Sequence, residues 1–497
     1  MCLMTKKRVF LTGGTGTMGW AAVQEFLNNG ADRFELTLLV RPSRKNRKML
    51  APIADKVNIV WGDLCNYEDV LRGVVGSDYV LHIGGMVSPQ ADYYPAKTRK
   101  VNLSAAKNVV RAVKAQPNAD EIKVVYIGSV AQTGDRNPPT HWARTGDPIY
   151  VSVYDHYAIS KVEAERVFAE SGLRYWVSLR QSGILYPGIL KNYDPIMFHV
   201  PIRGVLEWAT VEDSGRLMLR VCEQGVPEDF WRRFYNISSG ESYRLTNYEF
   251  ECLLLDAISC PAPEKIFNAN WFTLKNFHGQ WYTDADRLEE ILHFRSNVPC
   301  DEYFAGMKRQ LPWYFSLAKI VPACILKLAM RFMAYRKRMG TMDWIRTGNK
   351  ARIEAYYGSV EEWKAIPDWK SVDKSRPSEV PTLLNHGYDE TKPEEQLTID
   401  DMKAVAAFRG GECLSTEMTP GDLTTPLEWR CHFGHTFNAS PRLILSGGHW
   451  CPDCEPSPWN YSEIARVNPF FAQVWYANHR EDENLYFDES IFDDFER

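Results

Sequence analysis

The sequence predicts an α/β protein built on a doubly wound parallel sheet, with a smaller lobe after it and a small metal-binding module towards the C-terminus. Three observations predict this. Short apolar runs alternate with helix-spaced segments over the first 180 residues, as in a parallel sheet with helices on both faces. The first run ends in a glycine-rich loop, and three cysteines and a histidine fall at ligand spacing between 431 and 454.

Each element has its own signal. Val9-Phe10-Leu11 is a strand, and Ala22, Val23, Phe26 and Leu27 give a helical stripe that stops at Gly30. Strands follow at 36–40 and 57–61, and Asn66 to Val75 reads as a helix with Asn66 and Asp69 at capping-box spacing. A strand at 79–83, a helix at 101–115, a strand at 124–127, a helix at 157–171 closed by Gly172 and a strand at 175–179 complete the alternation. Residues 183–310 are mixed and suit a substrate-side lobe. The expected organisation is therefore 1–310 for the sheet and lobe, 311–369 helical, 370–397 a proline-bearing linker, 398–460 the metal module and 461–497 an acidic, aromatic tail.

Composition excludes some classes. Of 497 residues, 45% are hydrophobic and 24% charged, so a disordered or low-complexity chain is ruled out. With 58 basic and 63 acidic residues the net charge is −5, which disfavours a nucleic-acid partner. The eleven cysteines lack the dense rhythm of a disulfide scaffold. Met1 to Met4 run straight into Lys6-Lys7-Arg8 with no apolar stretch behind, so no secretory signal is expected and the cytoplasm is the default compartment. Residues 311–335 are apolar but interrupted by Lys319, Pro322, Lys327 and Arg331, too broken to span a bilayer. A basic amphipathic helix on a membrane surface is one reading; a helix packed on its own domain is the favoured one.

The loop Thr12-Gly13-Gly14-Thr15-Gly16-Thr17-Met18-Gly19 joins the first strand to the first helix. Gly13 permits the turn, Gly16 lets a pyrophosphate approach the backbone and Gly19 lets the helix sit close to the sheet, while the helix N-terminus offers free N–H groups. Thr12, Thr15, Thr17 and Met18 belong to the same expected cofactor site. The second strand ends in Val40-Arg41-Pro42-Ser43 with no carboxylate. Arg41 and Ser43 suit a 2′-phosphate, so NADP is favoured over NAD. Asp63 is placed to meet the adenine amino group, with Leu64 beside it.

Tyr157 and Lys161 are four apart, on one helix face. A phenol titrates near pH 10 when free; a cation and an oxidised nicotinamide lower it, making Tyr157 a general acid–base for a hydroxyl or carbonyl substrate. Ser129 ends a strand at the sheet edge where ligands sit and can bond the same oxygen.

TGGTGTMG, GDL at 62–64, the serine of VYIGSVAQTG, YAISK and RQSGILYPG at 180–188 together resemble the extended short-chain dehydrogenase/reductase family, over about residues 6–300. The resemblance implies a Rossmann domain with a substrate lobe and a Ser129, Tyr157, Lys161 triad, with Lys161 also holding the nicotinamide ribose. It implies Asn102 as the helix asparagine and Gly84 and Ser182 as cofactor-lining positions. Dehydratase members carry a Thr-Asp-Glu trio where this chain has Ser129-Val130-Ala131, so dehydration is disfavoured. A net redox reaction is the first expectation. A sugar-nucleotide epimerase with bound NAD, and a nicotinamide-sensing binding protein acting through the metal module, are the alternatives.

Cys431, His435, Cys451 and Cys454 have the spacing of a four-ligand structural zinc site, with His432, His449 and Cys413 as rivals. The surrounding GGECLS, WRC, GH and WCPDC stretches look like a treble-clef zinc ribbon. A protein partner for this module and a homodimer stay open.

Overall fold

In the computed structural model, which describes residues 5–191, 193–455 and 460–487, all six expected strands join one parallel sheet. They are β1 (Lys7–Thr12), β2 (Phe34–Val40), β3 (Asn58–Trp61), β4 (Tyr79–His82), β5 (Lys123–Ser129) and β6 (Tyr175–Gln181). Val9, Phe10, Leu11, Val80, Leu81, Val124 and Val125 are fully buried, as both faces of such a sheet are covered. A seventh strand, β7 (Arg233–Ile237), pairs with β6 and was not expected. Its five residues lie in an aperiodic stretch, and Phe234 and Tyr235 bury on opposite faces. The order is β7-β6-β5-β4-β1-β2-β3, with chain reversal beside β1, where ligands of such sheets bind.

Helices α1 (Thr17–Asn29), α2 (Arg44–Leu50), α3 (Tyr67–Val74), α4 (Pro95–Lys114) and α5 (His156–Ala169) make the crossovers. Asn66 caps α3, but Asp69 does not close a capping box. Its carboxylate instead accepts from the Asp63 N–H at 2.8 Å and pairs with Arg72. Helix α4 starts six residues before the expected position, at a proline well suited to a first turn. Helix α6 (Val211–Arg220) packs on α1, on the sheet face opposite α5.

The segment 313–335 holds a 3-10 stretch (Trp313–Ile320) and helix α7 (Ala323–Ala334). Leu326, Met330 and Met333 rest on the domain, while Ile325, Leu328 and Phe332 stay exposed on the other side, so only half of this helix packs as expected. Among the described residues no helix is long and apolar enough to cross a membrane. Residues 376–394 are strapped to the sheet domain. The Ser378 carbonyl accepts from the Trp142 indole and lies 2.8 Å from His141 Nε2, while the His386 ring lies 2.9 Å from Asp147.

The C-terminal module contains α8 (Ile399–Phe408) and an antiparallel sheet of β8 (Glu412–Cys413), β9 (Leu427–Arg430) and β10 (Thr436–Ala439). In β9, Leu427 and Trp429 point inward and Glu428 and Arg430 outward. The module shares its core with the large domain. Trp429, Leu443, Leu445 and Trp450 belong to one buried cluster with Val124, Tyr126, Phe168, Trp176 and Phe234, so the module covers the sheet face beside α5. Helices α9 (Tyr461–Val467) and α10 (Pro469–Trp475) follow and pack on Tyr150. The acidic residues from 488 onward in the expected tail lie outside the described residues.

Candidate active site and metal centre

The glycine loop forms as its residue types require. Gly13 adopts φ +78, and a Cβ there would lie 2.7 Å from the Gly84 Cα; one on Gly19 would strike the Gly13 carbonyl. At Gly16 an added Cβ would meet only the Gly13 carbonyl oxygen at 3.3 Å, so that side of the loop is open. Gly16 also caps α1 with no side-chain acceptor, leaving helix N–H groups for an anion. Thr15 is half-buried and Thr17 exposed in the turn, whereas Met18 is buried beneath it. The Thr12 hydroxyl accepts from the Gly84 N–H at 3.0 Å and lies 2.9 Å from His82 Nδ1, which locks β1 to β4. Burial draws His82 down to about 3, helped by Lys161, so this ring is neutral.

Arg41 is exposed beyond β2, and the Ser43 hydroxyl caps α2 by accepting from Asn46 N–H at 3.1 Å. Asp63 Oδ1 accepts from the Cys65 N–H at 2.8 Å, and Leu64 lies against Gly84. At the end of β6, Gln181 Oε1 and Ser182 Oγ are buried without a hydrogen-bond partner. Buried polar atoms are normally satisfied, so orphaned acceptors at the ligand edge of the sheet, together with the open side of Gly16, fit a dinucleotide.

The three proton-handling candidates meet at this edge. The Ser129 hydroxyl accepts from the Ala131 N–H at 3.2 Å and lies near enough to the Tyr157 phenol to oppose the effect of burial on it. Lys161 lies one turn on, with Nζ 5.7 Å from the Tyr157 ring centroid and donating to the Ile127 carbonyl at 2.7 Å. Burial pushes Tyr157 up to about 12, with Ser129 opposing. Burial draws Lys161 down to about 8, with Glu165 opposing. Asn102 is turned elsewhere. Its amide accepts from Met86 N–H at 2.7 Å and donates to the Met86 carbonyl and Ser160 Oγ, so it holds the β4 loop to α5.

Beneath the triad is a buried network that the sequence reading missed. Glu165 accepts from Ser178, from the Arg180 guanidinium and from Gln132 Nε2, and faces His449 Nε2 at 2.9 Å. Gln132 in turn accepts from the Ser129 N–H at 2.9 Å. Burial alone would raise the Glu165 carboxyl; Arg180 and His449 outweigh it and hold it well below the usual carboxylate range. The one local signal is that Glu165 follows Lys161 by four residues, on the buried helix face.

The module brings Cys431, His435, Cys451 and Cys454 together, with all four ligand atoms within 4.8 Å of one another. The Cys431–Cys454 sulfurs are 3.9 Å apart, and His435 Nδ1 is 3.6 and 3.3 Å from Cys451 and Cys454. A zinc tetrahedron with Zn–S of about 2.3 Å and Zn–N of about 2.0 Å has S–S edges of about 3.8 Å and S–N edges of about 3.5 Å. The donor set therefore fits zinc. The rivals are placed elsewhere: His449 faces Glu165 and Glu455, Cys413 is buried in β8, and His432 meets the Phe433 ring edge-on.

The sheet order and the glycine loop define a Rossmann-type doubly wound parallel fold. Residues 9–186, a little over a third of the chain, match the model of the NAD dependent epimerase/dehydratase family. Curated relatives include the UDP-glucose 4-epimerases of Rickettsia bellii and Rickettsia conorii, 31% and 30% identical over 114 residues. Each match covers 22% of this chain, which spans 33% of the relative's length. Similar solved structures include dTDP-glucose 4,6-dehydratase from Bacillus anthracis with NAD (TM-score 0.48, 15% identity, 62% of this chain and 96% of that one). UDP-glucose 4-epimerase from Bifidobacterium longum with NAD+ and UDP gives a TM-score of 0.47 at 18% identity, covering 63% and 99%.

Proposed function

We propose that the protein is a nicotinamide-dependent oxidoreductase whose substrate carries a hydroxyl or carbonyl group. The observation that carries this reading is the placement of Tyr157 and Lys161 on one face of α5 near Ser129, at the edge holding the open Gly16 loop and the orphaned Gln181 and Ser182 side chains. The bound cofactor supplies the hydride acceptor or donor. Gly13, Gly16 and the start of α1 hold its phosphates, and Arg41 and Ser43 favour the 2′-phosphorylated form. Ser129 orients the substrate oxygen. Tyr157, a neutral phenol at neutral pH, donates to a carbonyl oxygen or, with a cationic partner beside it, accepts from a hydroxyl. The Lys161 ammonium, held by the Ile127 carbonyl, biases the phenol's surroundings positively. Tyr157→Phe is expected to lower turnover by at least about a hundredfold while NADP(H) titration by fluorescence is preserved. Wild-type-like turnover overturns the assignment.

The matches to UDP-glucose 4-epimerases favour one second reading, sugar-nucleotide epimerisation with retained cofactor. NAD that copurifies through gel filtration, with isomerisation and no net reduction, distinguishes it. Zinc at Cys431, His435, Cys451 and Cys454 is structural in either case, because four protein ligands leave no open position.

A further inference from the structure

Half of the large apolar side chains left exposed among the described residues lie in one stretch, 313–335. Trp313 and Ile320 are each 77% exposed and Phe332 72%. They are spread over the Trp313–Ile320 stretch and the outer face of α7, where Ile325, Leu328 and Phe332 recur at helical spacing and Tyr335 continues the line. A scattered exposed apolar residue needs no explanation, but a contiguous patch marks an interaction surface.

The charge around the patch selects its partner. From 303 to 342 the sequence holds eight lysines and arginines and no aspartate or glutamate, within a chain of net charge −5. Among the described residues no ion pair engages Lys319, Lys327, Arg331 or Lys337, and the Arg331 guanidinium lies over the Tyr335 ring. Exposed tryptophan and tyrosine, aliphatic side chains beside them and cations free of acids form the pattern of a segment lying in an anionic lipid interface. The inner face of α7 rests on residues 195–199 and 263–266 of the lobe, so docking sets that lobe against the bilayer.

We infer that residues 313–338 form a docking surface for an anionic lipid bilayer, lying on the membrane rather than crossing it. The inference does not depend on the catalytic reading. It is tested by co-sedimenting the full chain with phosphatidylcholine vesicles, with and without a minority of phosphatidylglycerol. Binding is expected to the anionic vesicles and to weaken with added salt. The triple variant Trp313→Ser, Ile320→Ser, Phe332→Ser should lower partitioning by at least about tenfold, and Lys327→Glu with Arg331→Glu by a similar factor. Trp313, Ile320, Phe332 and Arg331 are exposed and Lys327 is half-buried with no ion pair among the described residues, so both variants should keep the wild-type melting temperature and NADP(H) affinity. No vesicle binding, or binding unchanged in the triple variant, overturns the inference. So does a monomer–dimer equilibrium in sedimentation that the triple variant abolishes, since the patch then serves a second copy of the chain.

Discussion

His449 Nε2 lies 2.9 Å from Glu165 Oε1 with neither side chain exposed, and this contact joins the metal module to the helix that carries Tyr157 and Lys161. Glu165 is the hub: it faces Arg180 on one side, and through Gln132 it reaches the Ser129 backbone. Removing one member of a buried ion pair leaves the other charged and unsatisfied. Glu165→Ala should therefore cost about 3–5 kcal/mol, and His449→Ala about 1–3 kcal/mol, read as a shift in the urea midpoint. Equal, negligible shifts would show that the network carries no stability.

The same residue sets a pH limb. Burial lowers Lys161 to about 8 and Glu165 raises it. If the ammonium form is the active one, turnover falls as pH rises through about 8. Replacing Glu165 by Gln should move that limb to lower pH, whereas a purely structural role predicts lower activity with the limb in place.

Metal removal should reach beyond the module. The purified protein is expected to hold about one zinc per chain, measured by elemental analysis. Because Trp429 and Leu443 share a core with Trp176 and Phe234, Cys454→Ser or chelation should lower the melting temperature of the whole chain. A separate early transition with the main one unmoved would contradict the shared core.

His386 gives a second pH dependence. Its burial would lower the ring's pKa, but hydrogen bonds to Asp147 and Glu390 raise it above the ordinary value. A raised folded pKa gives stability that is fully present below the unfolded value of about 6.5 and is lost as pH rises through the folded one. Melting temperatures taken on both sides of that window should fall towards the alkaline side. In His386→Gln this part of the slope should disappear.

Much of the site was legible because its signals are local. A turn needs glycine at Gly13, helix spacing puts Tyr157 and Lys161 on one face, and a metal knuckle needs Cys451 and Cys454 with two residues between them. The sequence by itself determined six strands and their order along the chain, the glycine loop, and the ligand-like spacing of Cys431, His435, Cys451 and Cys454. It could not choose among His432, His449 and Cys413 as rivals, since ligand choice depends on where side chains point. It could not place β7, whose five residues show no period. Only the tertiary structure decided that the module covers the sheet beside α5, that His449 closes the Glu165 network, and that Asn102 clamps Met86 and Ser160. Those contacts join positions tens to hundreds of residues apart. Their energy depends on what is buried and paired on both sides at once, which no window of sequence contains.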